Sequence, residues 1–599
     1  MNGYTGYMLR VNLTDRTVTK EPIKEEWIPD YIGGVGMGYR YLMDELEPGI
    51  DPLGSDNKFI FMTGPLSGTL IPTSSRLVVL TKSPLNNTIL LSHVGGSVCG
   101  EIKFAGYDGV ILEGKAEKPV YVYVKDDQVE IRDASALWGM DMLETEARIR
   151  EELGDNRVKV IGIGPAGENL VKFACVTTDS YHAAGRGGTG AVLGSKNVKA
   201  LAVRGTGGVK VKDMPGLLAY LREIMPEQVL NEAHEGNWTD GTPMIVDMSQ
   251  AAHVLPTRNF QQGQFEDAEK INSDAALEKA SKNRLACLAC PLSCGRYYIK
   301  DDGTITERAQ YETVALGGSN CAMADLDAVA DFSRLCNHLG MDTISAGNVV
   351  GFAMEMTEKG VFDYGLRFGE KDSYLRLTED LAYRRGFGDE LAEGVRAVAE
   401  QRGVPELAVE IKGLEFPGYD PRGSFGMAVA YATSSRGACH QRVFVIEHEA
   451  FGEMDPFTWE GKPEQVIKGQ DFTSAKESLL FCDFWRTSRK TYSELLKLVT
   501  DYPLSYEDLV LAGERIWNLG RLFNIREGYR RDGDYLPLRM YQPIGKPPDT
   551  DKMITKEGFQ AALSEYYAFR GWDEQGIPTL DKLHELGLDE FADIVKEAR

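Results

Sequence analysis

Gly109-Val-Ile-Leu-Glu113 and Val120-Tyr-Val-Tyr-Val124 are two short runs of β-branched, aliphatic and aromatic residues, separated by a stretch that contains Gly114 and Pro119. Runs of this composition, bounded by residues that interrupt regular structure, read as strands. Upstream, Lys58-Phe-Ile-Phe-Met-Thr63 and Leu77-Val-Val-Leu-Thr81 have the same character. Beyond about Gly205 the text changes. Apolar residues recur at helical spacing over Met214–Met225, Leu326–Leu339, Phe387–Arg402 and Ser505–Ile525. A block of strands followed by a block of helices predicts an α+β protein with a β-rich amino-terminal part, not an alternating doubly wound sheet. At 599 residues the chain exceeds what one core can organise, so several domains are expected.

Acidic residues outnumber basic ones by 90 to 66, a net charge of −24. A chain that negative repels a phosphate backbone unless its cations are gathered into a patch, which excludes nucleic acid as the expected partner. No run approaches eighteen apolar residues, and the opening Met-Asn-Gly-Tyr-Thr-Gly-Tyr lacks the basic-then-apolar order of a secretory signal, so no membrane span and a cytoplasmic location are expected.

Cys287-Leu-Ala-Cys290-Pro-Leu-Ser-Cys294, with Cys482 far downstream, is the motif that carries most chemistry. A [4Fe–4S] cube needs four thiolates, and such a loop supplies three while a distant segment supplies the last. Structural zinc also accepts four thiolates, but its usual signature is two close pairs. Nine cysteines in 599 residues are too few for a disulfide framework. A cluster is the stronger reading.

Gly162-Ile-Gly-Pro-Ala-Gly167 matches a dinucleotide-binding pattern, yet Pro165 and the strand-like Asn169–Val176 that follows favour a tight hairpin turn. Three other glycine clusters, Thr63–Thr69, Val94–Ser97 and Gly185–Gly190, with Arg76 and Arg186, point to a large phosphate-bearing cofactor, because glycines admit close backbone approach and guanidinium forks match phosphate oxygens.

Longer stretches then carry a family resemblance. Ser83-Pro-Leu, Phe104–Asp108, Ile163–Asn169, Gly185–Lys196, the cysteine loop, Tyr419–Gly423, Ala432–His440, Glu514-Arg-Ile, Phe523–Gly528, Tyr566-Tyr and Arg570–Asp573 resemble the tungsten-dependent aldehyde ferredoxin oxidoreductase family over nearly the whole chain. The resemblance implies a base domain of two sheets over residues 1–207 that binds two pterins, a helical domain over 208–413 with the cysteine loop, and a helical domain over 414–599 with Cys482. It implies one tungsten, or molybdenum, held by the pterins, a magnesium ion bridging their phosphates, and a [4Fe–4S] cluster on Cys287, Cys290, Cys294 and Cys482. Arg76, His93, Gly95, Ala183 and Arg186 fall where the family contacts phosphates and magnesium. His93 replaces the usual asparagine, at a position where the family's magnesium ligand is a backbone carbonyl. The pterin-ring motifs correspond to Asn337-His-Leu-Gly-Met341-Asp342 and Glu477-Ser-Leu-Leu-Phe481-Cys482, each with its leading aspartate replaced. Glu312 and His440 match the active-site acid and histidine. None of the eight histidines has a glutamate three residues before it, so the family's intersubunit iron pattern is not expected.

The implied activity is oxidation of an aldehyde to a carboxylic acid, with electrons leaving through the cluster to ferredoxin or a small iron–sulfur subunit, in an oligomer or hetero-complex. Reduction of an aromatic acyl-coenzyme A ring is the alternative within the family. An electron-transfer subunit without its own substrate is the alternative from another class.

Overall fold

The computed structural model describes residues 1–452, 454–544 and 552–599. The first 204 residues hold two six-stranded sheets, as the β-rich reading requires. The first contains β1 (Tyr7–Asn12), β2 (Thr17–Pro22), β3 (Phe59–Met62), β4 (Leu77–Lys82), β5 (Ile89–Val94) and β6 (Gly109–Glu113), in the order β2-β1-β6-β3-β4-β5. The second contains β7 (Val120–Lys125), β8 (Gln128–Asp133), β9 (Lys159–Gly162), β10 (Val176–Thr178), β11 (His182–Ala184) and β12 (Val198–Arg204), in the order β11-β10-β9-β12-β7-β8.

The alternation that marked β7 as a strand is resolved into two cores. Val120, Val122 and Val124 join the core shared with the first sheet, whereas Tyr121 and Tyr123 pack on the other face with Ile149 of the helix Met142–Leu153. That is the period-2 consequence of a pleated strand buried on both sides. β4 is fully buried because the helix Gly34–Glu45 covers it. The contact is close enough that a Cβ on Gly38 would lie 2.4 Å from a methyl of Leu80.

Helices dominate afterwards. Leu326–Leu339 starts on the Asp325 cap and ends at Gly340, whose φ of +79° suits the left-handed turn. Tyr506–Arg526 opens with a Ser505/Asp508 capping box. The expected helix over Phe387–Arg402 is instead two, Phe387–Leu391 and Val395–Arg402, broken where Gly394 takes φ +92°. Ser505–Ile525 and Met214–Met225 are matched to within a residue. No helix of the described residues is long and apolar enough to cross a membrane.

The segment after β9 also differs from expectation. Pro165 occupies the first position of a one-turn helix, Pro165–Glu168, and residues 169–175 are not a strand. The chain still returns antiparallel, since β10 pairs with β9, but through a helical turn and a longer connection in place of the tight hairpin turn expected.

The cysteine loop is the turn of a third, small sheet: β13 (Ala280–Leu285), β14 (Gly295–Ile299) and β15 (Ile305–Glu307), with Cys287, Cys290 and Cys294 between β13 and β14. Leu288 N donates to Gly96 O at 3.1 Å, and Cys482 N to Thr73 O at 3.0 Å, so both thiol-bearing segments are tied to the amino-terminal sheets.

Candidate active site

The edge strands β5 and β11 of the two sheets lie against each other, and the loops leaving them open onto one cavity of about 530 Å³. His93 is the penultimate residue of β5 and Gly95 follows the strand, while Ala183 lies on β11 and Gly185 and Arg186 follow it. Arg76 enters from the residue before β4. All of them line the cavity, together with Asn337, Met341, Asp342, Glu312, His440 and the four thiols Cys287, Cys290, Cys294 and Cys482. Glycine at 95 is a spatial requirement, because a Cβ there would meet Cys287 Sγ at 2.9 Å and the His182 ring at 3.0 Å. Of the three glycine clusters, Thr63–Thr69 does not reach the wall. A Cβ on Gly64 would meet the Leu479 carbonyl at 2.8 Å, so that glycine serves packing.

Glu477 and Phe481 do not line the cavity. Glu477 is buried in a two-bond pair with Arg442, both contacts at 2.5 Å, and the His93 ring stands 3.9 Å away. Phe481 is buried against Trp485 and Tyr492. Asn337 does line it, with its amide donating to Glu307 and to Ser333. A carboxylate therefore still stands at this corner, contributed by β15 in place of the missing aspartate. Asp342 caps the helix Thr343–Glu358 and pairs with Arg186 at 3.3 Å.

Glu312 sits on the short helical turn Tyr311–Thr313, which runs on into a wide π-type turn at Val314–Gly318. Its Oε2 accepts from Gly418 N at 2.7 Å, and its Oε1 lies 3.5 Å from His440 Nε2. That separation suggests an ion pair, but the protonation states run the other way. Burial pushes the Glu312 carboxyl up to about 8, against the Gly418 hydrogen bond and Arg186. Burial together with Arg186 and Arg436 pulls the His440 imidazole down to about 3. At neutral pH the pair is largely a carboxylic acid beside a neutral imidazole. Tyr311, Tyr419 and Phe444 box it in, with Tyr419 5.0 Å from Tyr311 and 5.6 Å from His440 between ring centres.

Several neighbours were not found by sequence reasoning. Asp483 pairs with Arg76 at 2.7 Å, and Lys476 and Arg76 hold it, despite burial, well below the usual carboxylate range. Cys439 accepts from Arg436 at 2.9 Å; burial alone would raise this thiol, but Arg436, Arg442 and Arg186 bring it down to about 6. Adjacency to His440 and Cys482 was the only available signal, because these pairings join segments hundreds of residues apart.

Whether the pocket suits a large polar group can be tested on its buried atoms. Thr73 Oγ1, Ser75 Oγ, both ring nitrogens of His93, Glu312 Oε1 and His440 Nδ1 are buried without a hydrogen-bond partner. Natural interiors rarely leave so many polar atoms unpaired in one place. The thiols also call for a partner. Burial and the other thiols push Cys290 up to about 12 and Cys294 higher still, and burial raises Cys287 and Cys482. Among the described residues no three His, Cys, Asp or Glu side chains are grouped to hold a single ion. Four thiols lining one cavity match a group that binds four thiolates.

Comparison with known proteins gives a consistent picture. The family models described as the aldehyde ferredoxin oxidoreductase N-terminal domain and domains 2 and 3 match residues 8–205 and 221–588. The tungsten-containing aldehyde ferredoxin oxidoreductase of Pyrococcus furiosus is 40% identical over 99% of this chain and 100% of its own. A protein of the same organism described as the WOR-like subunit of an aliphatic sulfonate oxidoreductase is 30% identical over 100% and 99%. Among solved structures, the active-site complex BamBC of benzoyl coenzyme A reductase with 1,5-dienoyl-CoA superposes with a TM-score of 0.86 at 25% identity, covering 100% of this chain and 99% of that one.

Proposed function

The chain belongs to the aldehyde ferredoxin oxidoreductase family and is an oxidoreductase, and on that premise we propose that it oxidises aldehydes to carboxylic acids at the Glu312/His440 pair and releases electrons through a [4Fe–4S] cluster. The observation that carries this reading is the 3.5 Å Glu312–His440 contact on the wall of the cavity that also presents four thiols. Aldehyde and water give a carboxylic acid, two protons and two electrons. A bound tungsten bis-pterin would supply the two-electron acceptor, and the cluster would divide the pair into single electrons.

The remaining chemistry belongs to the chain. Glu312 Oε1 takes a proton as oxygen adds to the carbonyl carbon, and a carboxyl near 8 has both a usable ionised fraction and enough basicity at neutral pH. His440, neutral at that pH, stands 3.5 Å from Glu312 Oε1 and helps to position the carboxyl and the substrate. Tyr311, Tyr419 and Phe444 exclude water and orient the aldehyde's apolar part. Arg76, Arg186, Asn337, Asp342 and the glycine backbone at 95 would hold the pterins, and the segments at His93 and Ala183 would bind a magnesium ion that offsets phosphate charge. Cys287, Cys290, Cys294 and Cys482 would hold the cluster. The relatives described as a subunit and as a complex support a partner of the hetero-complex kind. Ring reduction of an aromatic acyl-coenzyme A rests on likeness at 25% identity and ranks behind aldehyde oxidation, which the 40% relatives carry.

An anaerobic assay of the purified holoenzyme with an aldehyde panel and benzyl viologen, alongside metal analysis, tests the reading. Aldehyde-dependent viologen reduction with about one tungsten or molybdenum and about four irons per chain is expected. Full cofactor content with no turnover of any aldehyde would refute it.

A further inference from the structure

In a chain with 90 acidic residues among 599, the segment 279–300 around the cysteine loop contains none, where the average would place about three, and carries Lys279, Lys282, Arg284, Arg296 and Lys300. The segment 484–493 after Cys482 repeats the pattern with Arg486, Arg489 and Lys490 and no acidic residue. Lys279, Arg296 and Lys300 are engaged with neighbouring groups, but Lys282 and Arg284 are exposed on the edge strand β13 and form no ion pair among the described residues. Arg486, Arg489 and Lys490 are exposed as well. Both segments are thus cationic in a molecule of net charge −24, although Asp301 and Asp302 follow the first and Asp483 precedes the second.

The same small sheet shows an apolar face. Tyr297 and Ile299 of β14 and Ile305 of β15 are 43, 44 and 64% exposed, and Ile299 pairs directly with Ile305 across the ladder. Solvent-facing strand positions are normally polar, and aromatic and aliphatic side chains gathered on one outer face mark contact surfaces. At about 3.3 Å per residue Tyr297 lies about 10 Å along β14 from Cys294.

We propose that this face, Tyr297, Ile299 and Ile305, with the basic edge strand β13 alongside it, is the docking surface for a small acidic iron–sulfur electron carrier of the ferredoxin type. The inference rests on the proposed redox function and adds where the electrons leave. Each turnover yields two electrons, so two oxidised one-electron carriers are each reduced once. Opposite charge steers the carrier to the surface, and the apolar triad gives the short-lived contact its dry centre.

The test compares two acceptors with the holoenzyme: benzyl viologen, which needs no docking, and a bacterial two-cluster [4Fe–4S] ferredoxin. The variants are Ile305→Asp and the double variant Lys282→Glu/Arg284→Glu, both at exposed positions. With iron content and viologen rate unchanged, the KM for ferredoxin should rise about tenfold or more in each, and the parent's loss of ferredoxin rate with added salt should be flattened in the double variant. An unchanged ferredoxin KM in both overturns the proposal. So does an Ile305→Asp protein whose oligomeric state changes while its ferredoxin KM does not, because the face would then be covered by a second copy. A parent that reduces viologen but not ferredoxin overturns the docking surface alone, whereas a parent that reduces neither removes the redox reading and the surface with it.

Discussion

In the proposed reaction Glu312 concentrates the chemistry in one side chain, and its protonation gives the sharpest prediction at this scale. Because the carboxyl must be ionised to accept a proton and burial lifts it to about 8, kcat/KM should rise with pH through about 8 and level off above it. Glu312→Gln keeps the Gly418 hydrogen bond but lacks basicity, so turnover should fall by about two to four orders of magnitude and that limb of the profile should vanish, with tungsten, pterin and iron retained. A variant as fast as the parent would remove the residue from the mechanism. Gly418 offers a second check. A Cβ there would lie 3.0 Å from the Tyr311 ring and 3.2 Å from Glu312 Oε2, so Gly418→Ala should slow turnover about tenfold or more without lowering iron content. Glu312 and His440 were singled out only through extended family motifs, since a lone glutamate and a lone histidine carry no signal; the structure places both on the cavity wall. Their reversed protonation was not legible at all, because it depends on burial and on Arg186 and Arg436, which reach the pair from other segments.

At the scale of elements, the spacing of the cysteine loop suggested a ligand loop but not the turn of a three-stranded sheet, because the short β13 and β15 carry no strong alternation. Cys482→Ser should leave the amino-terminal sheets folded while cutting iron from about four per chain and changing the cluster spectrum, since serine oxygen is a poor substitute for thiolate. Iron and spectrum both unchanged would exclude it as a ligand. The helix Gly34–Glu45 shows the packing side of the same question. Gly38→Ala drives a methyl into Leu80, and should destabilise by about 1–3 kcal/mol through overpacking, read as a lower melting temperature. Glycine inside a helix looks unfavourable in sequence, and only the approach of β4 explains it. The split of Phe387–Arg402 was missed for the converse reason: Gly394 looked tolerable within a helical pattern, whereas its positive φ ends one helix and begins another.

For the molecule as a whole, the order of strands and helices gave the architecture, yet not how distant parts share cores. Leu519, Leu522, Leu583 and Val595 from the carboxyl-terminal region pack into the core of the first sheet, and Arg40 pairs with Glu590 at 2.6 Å. Apolar periodicity says that a face is buried but not against what. The cavity is built the same way, from the abutting edges of two sheets, two helical junctions and the cysteine loop, so its residues are contiguous in space and scattered in sequence. The central claim is that an aldehyde oxidised at Glu312 sends its electrons to a cluster on the four thiols of this cavity. The most direct measurement mixes the oxidised holoenzyme with an aldehyde anaerobically, without any acceptor, and follows the iron–sulfur absorbance. Bleaching of that absorbance by aldehyde in the parent, slowed by about two to four orders of magnitude in Glu312→Gln, is the predicted result. A fully loaded parent whose cluster absorbance does not change with any aldehyde would contradict the account.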